Sequence, residues 1–174
     1  SVLDPLDGDI DPAQLTQAFA KGARDMGAKV IRFCPVTAAR RENDEWVLTT
    51  PQGEIRCEYV VNATGYRANE VGRMFGRDVP CISLAHQYLV TEGIPELAAR
   101  DTKLPLLRDP DSSYYLRQEK AGLLLGPYEK GCRAHWTDAS DPMPEDFSFQ
   151  LYSDDLERLE WYIEDACARV PLLG

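Results

Sequence analysis

A helix that runs straight into a β-branched strand is the feature of this sequence that most restricts its fold. Asp11-Pro12 sets an N-cap acceptor before a proline at the first helical position. Leu15, Ala18, Phe19, Ala23 and Met26 then recur at the spacing of one buried stripe. Gly27 supplies the stop, and Lys29-Val30-Ile31-Arg32-Phe33 follows at once. A helix leading directly into such a run is the second half of a βαβ crossover, so the run is expected as a parallel strand in an α/β sheet. No strand precedes that helix, and Leu172-Leu173-Gly174 follows a final helix whose apolar face needs a sheet to pack on. The chain is therefore expected to be an internal piece of a longer protein.

Beyond Pro35, Glu45 to Thr50, the turn Pro51-Gln52-Gly53 and Glu54 to Glu58 read as a polar hairpin. Tyr59-Val60-Val61-Asn62 reads as the next sheet strand, ending in the small residues Ala63-Thr64-Gly65, and a short helix is expected from Asn69 to Phe75. Ile82, Leu84, His86, Tyr88 and Val90 alternate with Ser83, Ala85, Gln87 and Leu89, which predicts a two-faced strand and the start of a second sheet. Pro95 to Asp111 reads as a connection, and Tyr114 to Gln118 with Leu123 to Gly126 as a strand pair. Ser153 is expected to cap a last helix carrying Leu156, Leu159, Ile163, Cys167 and Val170 on one face, with Pro171 as its stop. Together these elements predict a mixed α/β and α+β protein: residues 1–79 as a partial Rossmann-like lobe, and residues 80–174 as an antiparallel-sheet lobe with helices.

Charge narrows the partners. With 19 basic and 29 acidic side chains the net charge is −10, and no run of Lys or Arg offsets it, which disfavours nucleic acid and anionic membrane surfaces. Apolar runs such as Leu123-Leu124-Leu125 fall far short of the roughly 20 residues of a membrane span, so a soluble protein is expected. Five dispersed cysteines without a C-x-x-C pair indicate neither zinc nor a disulfide framework. No metal site is expected.

G-x-G-x-x-G, Walker, H-E-x-x-H and G-x-S-x-G motifs are all missing from the sequence. Any imidazole chemistry must use His86 or His135. On spacing alone His86 reads as a structural histidine bonded to a neighbour, and His135 as a surface residue. Tyr114 and Tyr115 point one ring to each face of a strand, so at most one faces a pocket the other does not. The acids Asp109, Asp111, Asp154 and Asp155 read as turn and cap residues. Asn62-Ala63-Thr64-Gly65 ends a predicted sheet strand, the side on which open α/β sheets bind ligands.

In order along the chain, Asp7-Gly8-Asp9-Ile10-Asp11-Pro12, Val60-Val61-Asn62-Ala63-Thr64-Gly65 with Asn69-Glu70-Val71-Gly72, His86-Gln87-Tyr88-Leu89-Val90-Thr91 and Ser113-Tyr114-Tyr115-Leu116-Arg117-Gln118-Glu119 resemble FAD-dependent amine oxidoreductases. Within the D-amino-acid-oxidase-like superfamily the likeness is to dimethylglycine and sarcosine dehydrogenases and dimethylglycine oxidases. It covers essentially the whole chain. Thr64 stands where relatives usually carry a second alanine. The family's glycine-rich dinucleotide motif lies upstream of the region resembled. Its closing flavin-binding strand and the dehydrogenases' folate-binding region lie downstream.

The resemblance implies that the lobe 1–79 binds FAD, with the Val36 backbone meeting the adenine end and Ala63, Thr64 and Gly65 approaching the cofactor closely. It implies that lobe 80–174 binds substrate, with His86 and Tyr114 lining the pocket beside the flavin and Tyr114 also touching the cofactor. Tyr115 is left open for the Tyr114 role. The implied chemistry is transfer of a hydride equivalent from the N-methyl carbon of a small N-methylated amino acid, such as dimethylglycine or sarcosine, to FAD. A His and a Tyr hydroxyl would manage the amine proton. Arg117 is assigned no carboxylate role, because strand parity sets it opposite Tyr114. Further implications are an electron-transfer flavoprotein or oxygen as acceptor, tetrahydrofolate in a region not present here, and a cytoplasmic location, or the mitochondrial matrix in a eukaryote. Self-association through exposed sheet edges and an inactive isolated chain are also expected. The competing readings are a non-catalytic ligand-binding or interaction domain that keeps the fold, and an RNA-modifying flavoprotein, against which the net charge counts.

Overall fold

The structure is a computed structural model that describes residues 2–137, 140–148 and 150–174. It divides into two compact units, one of residues Ile10–Ile82 and one of Ser1–Asp9 with Ser83–Gly174. Helices are mixed with sheets, and every strand pair described is antiparallel.

The unit of residues 10–82 opens with helix α1, Pro12–Asp25, whose N-cap Asp11 accepts from the Gln14 amide at 2.9 Å. The helix forms as its start signals predict, yet none of its residues is buried, and Phe19 and Met26 of the expected stripe are 71% and 90% exposed. The expected parallel strand Lys29–Phe33 is not formed. No other described segment pairs with it, and Val30, Ile31 and Phe33 stay exposed. Tyr59–Asn62 likewise pairs with no other described segment, and Tyr59 and Val61 stay exposed. An isolated apolar run has no ladder hydrogen bonds to make it a strand, however strong its β-propensity.

What does pair is a meander: β1, Ala38–Glu42; β2, Glu45–Thr50; and β3, Gly53–Cys57, in the order β1-β2-β3. The β2–β3 hairpin lies where its turn signal predicts. β1 has no apolar alternation. It is set by Asn43-Asp44, both at positive φ (48° and 66°), the left-handed pair a tight two-residue hairpin turn requires. Val47 is completely buried in the meander, and Trp46 meets Phe75 edge-on at 4.9 Å. A 3₁₀ turn, Gly65–Arg67, leads into α2, Ala68–Met74. Gly72 of α2 is a close approach, since a Cβ there would lie 2.8 Å from the Arg77 carbonyl oxygen and from Val79 Cγ2.

The other unit holds two sheets. The expected strand from Ile82 to Val90 is broken at residues 86–88: β4, Ser83–Ala85, pairs with β9, Arg133–His135, while β5, Leu89–Val90, joins the four-stranded sheet β5-β8-β7-β6. The break arises because the two halves pair with different strands. The apolar face predicted from Ile82, Leu84, Tyr88 and Val90 is the exposed one, at 48–65%. Within the larger sheet, β6 is Leu107–Asp109, β7 is Tyr114–Glu119 and β8 is Gly122–Pro127. The short helix α3, Pro95–Ala98, buries Leu97.

Register sorts β7 and β8 into two faces. Tyr114, Leu116 and Gln118 pair with Pro127, Leu125 and Leu123, and this face forms the core with Leu97 and with Tyr162 and Ala166 of helix α4, Glu160–Arg169. Burying Leu123 and Leu125, each 1% exposed, contributes about 1.5–3 kcal/mol apiece. Tyr115, Arg117 and Glu119 face the other way with Gly126, Leu124 and Gly122.

The last helix does not begin at Ser153. A 3₁₀ turn, Leu156–Leu159, precedes α4, and Asp155 lies outside the helical region at φ −142° and ψ 72°. The Gln87 side chain explains this: its Oε1 accepts from the Asp155 amide at 2.9 Å and its Nε2 donates to the Asp155 carbonyl, holding that residue out of a helix.

Candidate active site

The first group of predicted residues lies in the unit of residues 10–82. Val36 is half-buried just before β1, and Ala63, Thr64 and Gly65 are exposed at the entry to the Gly65–Arg67 turn. The Asn62 side chain ties this segment together. Its amide donates to the Ala68 carbonyl at 2.9 Å, and its Oδ1 accepts from the Thr64 hydroxyl at 2.7 Å. The hydroxyl of Thr64 is thereby turned onto its own loop. Gly65 has φ +58°, and nothing lies within 4 Å of where its Cβ would stand, so only glycine gives both the turn and the open face. The open space in front of Gly65, near the small residue Ala63, fits the close approach of a cofactor to the backbone.

The second group lies in the unit of residues 83–174. His86 occupies the break between β4 and β5, with its side chain 32% exposed. Its ring meets Tyr128 edge-on at 5.7 Å, and Tyr128 in turn lies 5.9 Å from the Tyr115 ring. The three rings thus form a row leading from residue 86 onto the open face of the sheet. A Cβ on Gly126 would fall 2.2 Å from Tyr115 Cζ, so the Tyr115 ring lies flat across the bare backbone of its cross-strand neighbour.

Tyr115 and Tyr128 border a cavity of about 220 Å³ together with Arg108, Asp109, Pro110, Ser113 and Tyr114. Arg108 is exposed, pairs across the ladder with Tyr115, and has no ion pair among the described residues. Larger hollows, about 610 Å³ beside Trp46 and about 420 Å³ beside Leu104–Arg108, contain none of the predicted site residues.

Tyr114 is turned to the helix-covered side, 2% exposed among Leu97, Leu116, Tyr162 and Ala166. Its hydroxyl lacks a hydrogen bond of good geometry. Burial, then the charges of Asp165 and Asp109, push its phenol above the ordinary tyrosine value. Asp109 is a turn residue, as its sequence context predicts: its Oδ1 accepts from the amides of Asp111 and Ser112 at 3.1 and 3.0 Å, and its Oδ2 meets Arg169 at 3.0 Å. Arg117 shares the Tyr115 face but pairs with Glu119 at 2.7 Å. His135 is half-buried and stacks on Tyr152 at 5.0 Å. The described residues contain no cluster of three or more His, Cys, Asp or Glu able to hold a metal, and no helix long and apolar enough to cross a membrane.

Sequence reasoning passed over Arg108, Gly126, Tyr128 and Glu129. Gly126 carried a signal, since a glycine inside a strand opposite an aromatic marks a close approach. The other three carried none.

One face of the four-stranded sheet is packed by α4, and the other carries Tyr115, Arg117 and Glu119, with Arg108 paired across the ladder to Tyr115. Residues 1–174 match the family model described as FAD dependent oxidoreductase, and the chain belongs to that family. Its relatives include the mitochondrial dimethylglycine dehydrogenase of Mus musculus, 45% identical over 98% of this chain, and the mitochondrial sarcosine dehydrogenase of Homo sapiens, 38% identical over 97%. A 4-methylaminobutanoate oxidase (formaldehyde-forming) of Paenarthrobacter nicotinovorans is 32% identical over 74% of the chain. The chain spans 20%, 18% and 15% of the lengths of these three proteins, respectively.

Proposed function

We propose that this chain supplies the substrate face, and part of the FAD-binding surface, of an oxidoreductase acting on a small N-methylated amino acid such as dimethylglycine or sarcosine. The observation that carries this reading is the row His86–Tyr128–Tyr115 beside Arg108, which has no ion pair among the described residues, in a chain 45% identical to a dimethylglycine dehydrogenase. Bound FAD would supply the hydride acceptor for the N-methyl carbon. Val36 and Ala63-Thr64-Gly65 are the residues assigned to hold it.

The remaining tasks fall to side chains. An amine gives up a hydride equivalent only when its lone pair is free, so a base must take the ammonium proton. His86, partly exposed and able to accept at one ring nitrogen, is assigned that role. Tyr115 is assigned the hydroxyl that hydrogen-bonds the amine, in preference to Tyr114, whose burial under α4 argues against contact with substrate. Arg108 is assigned the carboxylate, for which an exposed guanidinium offers two parallel donors. Catalysis on the Tyr115 face also removes the parity objection to Arg117, but its pairing with Glu119 leaves Arg108 the better candidate.

The division into a cofactor lobe over 1–79 and a substrate lobe over 80–174 belongs to the same proposal. So do an electron-transfer flavoprotein as acceptor, a mitochondrial matrix location in a eukaryote, and self-association through sheet edges such as β3 and β6. We take the affinity of the 174 residues alone for FAD to be weak, since they hold no glycine-rich pyrophosphate loop.

The test is anaerobic mixing of the FAD-loaded full-length gene product with dimethylglycine, sarcosine and glycine, followed by flavin absorbance. Bleaching by the two N-methyl amines and not by glycine is expected. Bleaching by none of them would refute the reading.

A further inference from the structure

Glu129 is a carboxylate where a carboxylate is costly: the residue is 2% exposed, and its side chain 1%. Its Oε2 lies 3.0 Å from His86 Nδ1. Its Oε1 has no hydrogen bond, but the Arg158 guanidinium stands 3.6 Å away and supplies the opposite charge. Arg158 Nε is bound to Asp155 Oδ2 at 2.6 Å, and both backbone polar groups of Asp155 are held by the side chain of Gln87, the residue next to His86. The interactions close into a ring, 86–129–158–155–87, that begins and ends on the same two adjacent residues. On the other side, the Lys130 amide donates to the buried Tyr162 hydroxyl at 3.0 Å, anchoring the backbone beside Glu129 to α4.

We infer that Glu129 is a positioning residue that fixes His86 in the Nδ1–H tautomer. This deepens the proposal above and rests on His86 being the base of that reaction. The chemistry follows from donor and acceptor counting. An ionised carboxylate only accepts, so Nδ1 must carry the hydrogen, and a neutral imidazole with Nδ1–H presents Nε2 as its one acceptor lone pair. A neutral histidine free in water favours the opposite tautomer. Glu129 therefore selects the ring nitrogen that receives the amine proton. It also provides a negative charge beside the imidazolium that proton creates. Arg158 and Gln87 keep the carboxylate from turning away. A buried acid with one oxygen on an imidazole and a cation at the other is a poor bargain for stability alone, since such pairs rarely repay their desolvation.

Nitrogen NMR of the protein labelled with ¹⁵N-histidine reads the tautomer directly. In the full-length gene product the His86 signals are those lost in His86→Gln. Well above the usual imidazole range, His86 is expected as the Nδ1–H form in the wild type. It is expected to move toward Nε2–H in Glu129→Gln, whose amide no longer imposes a tautomer, and to keep Nδ1–H in Glu129→Asp. In the FAD-loaded full-length gene product, Glu129→Gln is expected to slow flavin reduction by on the order of 10- to 100-fold, and by less than about twofold in a His86→Ala background. A wild-type Nε2–H signal, or the same tautomer in wild type and Glu129→Gln, overturns the inference. The wild-type spectrum decides on its own should the Gln variant fail to fold. Unchanged amine oxidation in His86→Ala would remove His86 as the base while leaving the tautomer result standing.

Discussion

Gly126→Ala is the smallest change that reaches the proposed site. A Cβ at this position would lie 2.2, 2.3 and 2.5 Å from Cζ, Cε1 and the hydroxyl oxygen of Tyr115, whereas ordinary contact begins near 3.4 Å. The ring must therefore withdraw by about 1.2 Å, from 3.4 − 2.2, at its nearest atom. The Gly126 backbone is not in the left-handed region, so alanine adds no backbone strain and the methyl acts on the tyrosine alone. A reacting group displaced by about 1 Å costs on the order of 100-fold in rate. The assay is the anaerobic rate of flavin reduction by sarcosine in the FAD-loaded full-length gene product, for wild type, Gly126→Ala, Tyr115→Phe and the double variant. A loss near 100-fold is expected for Gly126→Ala, with little further loss when it is added to Tyr115→Phe. A Gly126→Ala enzyme that reduces its flavin at the wild-type rate would refute the placement of Tyr115 against substrate.

Two further outcomes follow from the same face and its reverse. Arg108→Ala should raise KM for sarcosine by roughly 10- to 100-fold, the worth of a hydrogen bond to a charged group, with a smaller change in the rate at saturation. Equal KM values in steady-state assays would remove Arg108 from carboxylate binding. Tyr114→Phe deletes a buried hydroxyl without a good partner and should be close to neutral for stability at pH 7. Because the folded phenol is held above its ordinary value of 10.0, the folded state retains that proton longer than the unfolded chain does. The contribution is full below pH 10 and is lost as pH rises through the folded value. Urea unfolding above pH 10 should thus show a shallower fall for Tyr114→Phe than for wild type; identical curves would contradict this.

Local signals were legible in the sequence where the partner is also local. The Asp11 cap, the β2–β3 turn and the β7–β8 hairpin each close within a few residues, and all three form as their residues predict. Lys29–Phe33 and Tyr59–Asn62 failed because strand character needs a neighbour that propensity cannot supply. The Asn43-Asp44 turn was a readable signal for β1 that the polar composition of Ala38–Glu42 obscured. In the site, parity separated Tyr114 from Tyr115 but did not say which face the helix would cover. That depends on Tyr162 and Ala166, more than 40 residues away. His86 and Glu129 are likewise 43 residues apart, and no spacing rule joins them.

The most direct test of the account sets Tyr115→Phe against Tyr114→Phe in one experiment, the anaerobic bleaching of bound FAD by dimethylglycine in the full-length gene product. The account predicts rapid bleaching in wild type, little change in Tyr114→Phe, and a rate lower by on the order of 100-fold in Tyr115→Phe. The reverse ranking would put the substrate on the helix-covered side of the sheet and contradict it.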